Sequence, residues 1–320
     1  MLLACLFLVA GLALLVKGAD WLVDGAAALA RRLHVSDLAV GLTVVAFGTS
    51  TPELFVNLDA AFRNAPDIAI GNILGSNIAN ILLILGLAAV LVPLSVTRST
   101  TWKEIPFSLL AALILAVLAN DRWLDGASAN VLSRSEGLVL LAFFVIFLYY
   151  TAGMARRPEE LPIRHTVRPR RLPVALLLVG AGLLLLILGA RWTVNSAVDL
   201  ATRLGISQAV IALTLVAVGT SLPELATSLV AALRHNPDIA VGNIVGSNIF
   251  NIFFILGLTA AVRPLPFPPQ RNFDLAVVVL ASLLLLLTMF TGKKHRIDRW
   301  EGLLFLATYA CYIGWLAHTM

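Results

Sequence analysis

Residues 18–94 and 189–265 of this 320-residue chain align without a gap at a constant offset of 171, and roughly 44 of the 77 positions are identical. The first copy carries GTSTPEL at 48–54 and GNILGSNIANI at 71–81. The second carries GTSLPEL at 219–225 and GNIVGSNIFNI at 242–252, and the copies close on Pro93-Leu94 and Pro264-Leu265. Each sets a glutamate, Glu53 or Glu224, directly after a proline inside an otherwise apolar segment. The fold must therefore hold two related halves, each placing one acid where charge is resisted. A duplicated, proline-broken acidic motif in a lipid-soluble chain points to a cation-transport site.

Lipid solubility follows from the composition. The chain is 59% hydrophobic and 13% charged, with a mean hydropathy of +0.92, too few charges to cover a soluble surface. Apolar segments of about 20 residues, the length that crosses the hydrocarbon layer, recur throughout. Short alternating strands of the kind a membrane barrel needs are absent from the pattern. The expected fold class is all-α integral membrane, with ten transmembrane helices over 2–32, 37–63, 67–92, 103–120, 135–155, 173–203, 208–234, 238–262, 272–291 and 300–318. The N-terminal apolar run has no basic start, and its continuation is a repeat element. It is expected to stay as the first helix rather than act as a cleaved signal.

The basic, proline-punctuated stretch RRPEELPIRHTVRPRR at 156–171 divides the chain into two five-helix repeats. Residues 1–155 hold the first, with its motif at 41–94, and 173–320 the second, with its motif at 212–265; 156–172 is the linker. An odd helix count per half makes the second half enter the membrane from the opposite side, so the repeats are inverted. With both termini extracytoplasmic and the linker cytoplasmic, about 15 basic residues lie inside against about 6 outside, the bias expected of a cell-membrane protein. That distribution accounts for the net charge of +5 without a nucleic-acid partner. No obligate protein partner is expected. Cys5 and Cys311 read as small buried hydrophobes. The five histidines fall in loops or at helix ends and support no histidine metal site.

The chemistry sits in the two motifs. Pro52 and Pro223 lack an N–H and crowd the carbonyl four residues earlier, which opens the helix at Gly48 and Gly219. A carbonyl freed in lipid needs a hydroxyl or a cation as partner. Thr49, Ser50 and Glu53, with Thr220, Ser221 and Glu224, then group hard oxygen atoms suited to Ca²⁺ or an alkali ion. Further on, Asn72, Ser76 and Asn80 recur at spacing four, as do Asn243, Ser247 and Asn251, making a polar stripe on a helix that starts at Pro66-Asp67 or Pro237-Asp238. Gly71, Gly75, Gly242 and Gly246 permit close helix contact.

A mid-membrane acid costs about 2.5–3.5 kcal/mol, and no basic residue lies near Glu53 or Glu224 in sequence, so a salt-bridged scaffold is a poor account of either. For the serines and asparagines, helix–helix hydrogen bonding competes with ligation. Asn72 and Asn243 read equally well as packing residues. Asp67 and Asp238 read as helix-start residues facing the interface, with lining of an ion entrance as the lesser alternative, Asp59 as a vestibule or interface residue, and Asp20 and Asp24 as local partners of Lys17.

The paired stretches resemble the α-repeats of the calcium/cation antiporter superfamily, most closely its prokaryotic sodium/calcium exchangers. The resemblance spans nearly the whole chain. It implies four cation sites between the second, third, seventh and eighth helices, with Glu53, Glu224, Ser50, Ser221, Ser76, Ser247, Thr49 and Thr220 as ligands. The carbonyls of Ala46 and Ala217 and the side chains of Asn80 and Asn251 would complete the cage. It also implies that the first and sixth helices move as a gate. Some relatives have aspartate at the position of Asn251, associated with potassium coupling, so the asparagine argues for potassium-independent exchange. The function expected is Na⁺/Ca²⁺ antiport, with Ca²⁺/H⁺ exchange or a cation channel as alternatives. Ca²⁺ and Na⁺ would be substrates and no cofactor is expected. No GxxxxGK[ST] loop or HExxH motif suggests an enzyme.

Overall fold

The structure, a computed structural model, describes residues 1–155, 170–204 and 219–319. Most of the 156–172 linker and the start of the second motif region lie outside the described residues. Helix α1 (Leu2–Leu33) ends where His34 takes a left-handed conformation, φ 55°, and its amide turns back onto the last carbonyls. Helices α2 (Asp37–Thr49) and α3 (Thr51–Phe62) meet at a 45° bend. There follow α4 (Pro66–Leu91), α5 (Thr100–Leu118) and α6 (Arg134–Ala155). The second half contains α7 (Leu172–Arg203), α8 (Leu222–Leu233), α9 (Pro237–Val262), α10 (Arg271–Thr288) and α11 (Arg299–Thr319). By length and composition, 7 described helices can cross a membrane, or 8 if α2 and α3 are one bent span. Among the described residues the only strands are two-residue pieces in connections: β1 (Leu94–Ser95), β2 (Val131–Leu132), β3 (Leu265–Pro266) and β4 (Arg296–Ile297).

Two helices form the centre. The apolar window of α9 is 94% buried and that of α4 78%, whereas those of α1, α6 and α7 are 28% buried and leave most of their surface for lipid. Prolines at the first turns of α4 and α9 start the helices, and in α9 the Asn236 side chain caps the amide of Ile239 at 3.2 Å. Each helix widens into a π-helical stretch at the same repeat position, Ala79–Leu85 and Phe250–Leu256. Such stretches cluster at functional sites, and both begin one residue before the asparagines singled out in sequence, Asn80 and Asn251.

The halves contact each other reciprocally. Leu94 pairs with Ile297, and its repeat counterpart Leu265 pairs with Leu132, so each half lends a strand to the other. Along α1 and α7, Gly11 meets Gly189, Gly18 meets Gly182 and Gly25 meets Ala175; the partner number falls as the other rises, so the helices run antiparallel. A Cβ on Gly18 would sit 2.8 Å from the Gly182 carbonyl, and one on Gly189 2.8 Å from that of Gly11. Equivalent positions of the two copies thus exchange contacts, Gly18 with Gly182 and Gly189 with Gly11.

Two sequence expectations need correction here. Cys5 and Cys311 are exposed, because each falls on the outer face of its helix rather than the packed one. Asp20 and Asp24 are not mainly local partners of Lys17. Lys17 Nζ lies 3.8 Å from Asp20, but the Arg234 guanidinium, at the end of α8, bonds to both acids, reaching Asp24 at 2.7 Å. Arg170 also reaches Asp24, at 2.8 Å. A planar fork can span two acids one turn apart, and only the packing of α8 on α1 brings it there. The repeat counterpart Arg63 instead binds Asp59 of its own helix at 2.8 Å. In α7 the places of Asp20 and Asp24 are taken by Arg191 and Asn195, which offer no acid. Replacing Arg234 with glutamine is expected to cost about 1 kcal/mol, because Asp20 and Asp24 lose their shared partner and keep only Lys17 and Arg170, seen as a lower thermal midpoint in detergent; Arg63→Gln should leave the midpoint unchanged.

Candidate functional site

The bend between α2 and α3 falls at Ser50 (φ −81°, ψ 4°), and Ser221 before α8 has nearly the same backbone (φ −86°, ψ 5°). In each copy the proline two residues later occupies the first turn of the new helix and the glutamate follows it. The break thus puts both carboxylates at helix N-termini, where the backbone dipole favours negative charge. Both side chains are buried, at 1% exposure.

The glutamates are held by the opposite motif and by the central helices. Ser50 donates to Oε1 of Glu224 at 3.1 Å, so the serine of one copy supports the acid of the other. Ser76 of α4 donates to Oε1 of Glu53 at 3.4 Å. Thr220 also lies beside Glu53, and Thr49 and Ser247 beside Glu224; Glu53 is within electrostatic reach of Glu224. Thr49 donates to Asn243 Oδ1 at 3.0 Å, and its counterpart Thr220 to Asn72 Oδ1 at 3.3 Å. The residues that sequence left equally open to packing, Asn72 and Asn243, therefore orient site threonines. The Ala46 carbonyl accepts from the Ser50 amide at 3.0 Å and lies 3.3 Å from the Thr49 hydroxyl oxygen, a second acceptor for its one proton. Ala217 lies outside the described residues.

The acceptor inventory is unbalanced. The second carboxylate oxygens of Glu53 and Glu224, the side-chain oxygens of Asn80 and Asn251, and the hydroxyls of Ser221 and Ser247 are buried without a hydrogen-bond partner among the described residues. Buried polar atoms are normally satisfied, and a group of oxygen atoms left open together requires an explanation. No ion pair reaches either glutamate among the described residues. Two carboxyl groups and a surplus of lone pairs, with no basic side chain to answer them among the described residues, form an oxygen-rich set of the kind that could hold a hard cation. Nor is there, among the described residues, a cluster of three or more His, Cys, Asp or Glu side chains. A cation here would have to be held by one carboxylate pair and neutral oxygen atoms.

The structure brings together Glu53, Glu224, Ser50, Ser76, Ser247, Thr49 and Thr220, and carries Asn80 and Asn251 on the central helices α4 and α9 themselves. It leaves the other acids aside. Asp59 and Asp67 are exposed and Asp238 is half-buried at the start of α9. Sequence reasoning missed Asn57, Asn77 and Asn248. Asn57 is fully buried and donates to the Glu53 carbonyl at 2.9 Å, one turn beyond it. Asn77 and Asn248 receive the amides of Asn251 and Asn80 at 2.9 Å each. Their identity in both copies was the available signal; the four-residue spacing of the neighbouring stripe drew attention to the adjacent helix face instead.

Comparison with known proteins finds relatives along nearly the whole chain. The family model described as sodium/calcium exchanger protein matches residues 3–153 and 174–317. The chain is 38% identical to a putative antiporter, CaxA, of Alkalimonas amylolytica, over 98% of each sequence. It is 34% identical to the sodium/calcium exchanger MaX1 of Methanosarcina acetivorans, over 96% of this chain and 97% of the relative. A solved structure of the sodium-calcium exchanger NCX_Mj, soaked with 100 mM Na⁺ and 10 mM Sr²⁺, superposes with a TM-score of 0.84 at 38% identity, covering 98% of both chains.

Proposed function

This chain belongs to the sodium/calcium exchanger protein family, of the prokaryotic type within the calcium/cation antiporters, and on that footing we propose that it exchanges Na⁺ for Ca²⁺ across the membrane by alternating access to one shared site. The observation that carries the proposal is the set of open oxygen atoms around the Glu53 and Glu224 pair. Glu53, Glu224, Ser50, Ser221, Ser76, Ser247, Thr49, Thr220, Asn80 and Asn251, with the Ala46 and Ala217 carbonyls, are the proposed ligands. Hydroxyl and amide oxygens give the site neutral ligands in excess of its two charges, which suits several monovalent ions as well as one divalent ion.

Coupling follows from charge balance. One Ca²⁺ neutralises the carboxylate pair, and so do monovalent ions bound together. A half-loaded site leaves uncompensated charge in a medium of low dielectric, at an effective penalty of several kcal/mol. The gate moves only when the site is balanced, so one flux drives the other. Ten membrane spans arranged as two inverted five-helix halves, 1–155 and 173–320, would supply two near-equivalent conformations. The antiparallel, reciprocal contact of α1 with α7 supports that arrangement and fits a pair of helices that slide as the gate. The 156–172 linker is assigned to the cytoplasm and both termini to the opposite side.

The test is Ca²⁺ uptake into proteoliposomes under one imposed gradient at a time. An outward Na⁺ gradient is expected to drive uptake, and a pH gradient without Na⁺ to drive none. Uptake on the pH gradient alone would assign Ca²⁺/H⁺ exchange. Flux without counter-transport would assign a channel.

A further inference from the structure

We infer that Asn77 and Asn248, which touch neither carboxylate, are positioning residues that lock the side-chain amides of Asn80 and Asn251 so that each turns its oxygen, not its nitrogen, to the cation site. The inference rests on the proposed ion-exchange site and names what fixes the polarity of two of its walls.

The two asparagines face each other across the α4–α9 contact. Asn77 Nδ2 donates to the main-chain carbonyl of Asn248 at 3.3 Å, and Asn248 Nδ2 donates to that of Asn77 at 3.4 Å. A main-chain carbonyl only accepts, so the atom facing it must be the amide nitrogen. That choice turns Oδ1 of Asn77 and Asn248 the other way. Oδ1 of Asn77 then meets Asn251 Nδ2 at 2.9 Å, and Oδ1 of Asn248 meets Asn80 Nδ2 at 2.9 Å. An oxygen there demands a nitrogen opposite it. The last step leaves Oδ1 of Asn80 and of Asn251 buried and open, without a partner among the described residues. All four asparagines are at most 2% exposed, so water is not at hand to satisfy a flipped amide. Each relay of hydrogen bonds starts at a main-chain carbonyl and ends on an open asparagine oxygen, once in each half.

An asparagine amide is almost symmetric in shape and opposite in charge at its two ends. Released from Asn77, the Asn251 amide can present NH₂ to the cation, replacing an attraction with a repulsion. Aspartate differs, because both its oxygens accept and neither orientation repels a cation. The need for Asn77 should therefore vanish when residue 251 is aspartate.

The experiment is a double-mutant cycle on the purified full chain, with Ca²⁺ affinity read directly by equilibrium binding of radioactive Ca²⁺ and folding by thermal midpoint. Asn77→Ala is expected to weaken Ca²⁺ binding at least fivefold, and Asn77→Ala added to Asn251→Asp to weaken it by less than twofold, or not at all, relative to Asn251→Asp alone. The mirror cycle, Asn248→Ala with Asn80→Asp, should behave alike. An equal loss in both backgrounds, or no loss in either, overturns the inference. Failure of both alanine variants to fold, whatever residue 251 or 80 is, assigns the asparagines to packing and overturns it too. A wild-type chain that binds no Ca²⁺ overturns instead the ion-exchange reading beneath it.

Discussion

Replacing either Glu53 or Glu224 with glutamine is expected to reduce Ca²⁺ flux at least a hundredfold, to the background of empty proteoliposomes, while the protein still inserts and folds. Glutamine has the shape of glutamate, and its oxygen can still accept from Ser50 or Ser76, so the local frame survives. What is lost is one of the two charges that a buried divalent ion needs. Removing one partner of a buried charge group costs about 3–5 kcal/mol, a factor of about 10²–10⁴ in binding. In the empty protein the sign reverses. The two carboxylates repel each other, so either substitution should hold or raise the thermal midpoint when Ca²⁺ is absent. Ca²⁺ should raise the midpoint of the wild type, because a ligand that binds the native state stabilises it, and should leave both variants unmoved. Undiminished exchange in either variant would make the carboxylates scaffolding.

The second large effect concerns the contact between α1 and α7. A side chain at Gly18 would start 2.8 Å from the Gly182 carbonyl and the Leu186 amide, both backbone atoms that cannot step aside. Gly18→Leu must push the helices apart. Exchange is expected to fall at least tenfold, because overpacking a tight contact costs about 1–3 kcal/mol and the loss falls on the helix pair proposed as the gate. Yet the site is carried by α2, α3, α4, α8 and α9, so Ca²⁺ should still raise the thermal midpoint. Gly180→Ala on α7, where a Cβ meets nothing within 4 Å, is the control and should exchange at the wild-type rate. Loss of the Ca²⁺-dependent shift in Gly18→Leu would mean that the contact supports the site itself.

The glutamates could be found from sequence because a charge within an apolar segment, next to a proline, has few structural uses, and its repetition removes chance. Helix ends were equally plain: Pro66 and Pro237 begin helices in the structure as their composition requires. The partnerships were not. Arg234 lies 210 residues from Asp24 and nothing in either neighbourhood links them. Asn77 and Asn248 were overlooked for a different reason. Their work is done on each other and on backbone carbonyls, and a periodic stripe does not show which face of one helix meets which face of another.

By itself the sequence determined that the chain lives in lipid, that it is built of two related halves, and that each half delivers one acid with hydroxyl and amide oxygens to hand. Composition and repetition suffice for this, since hydrophobic length and proline position act locally along the chain. Only the tertiary structure decided that Ser50 supports Glu224 rather than its own glutamate, that the central asparagines pair across α4 and α9, and which oxygen atoms are left open. Those outcomes depend on how the two halves cross. A hydrogen bond reaches about 3 Å, far below the distance over which sequence alone can place one helix on another.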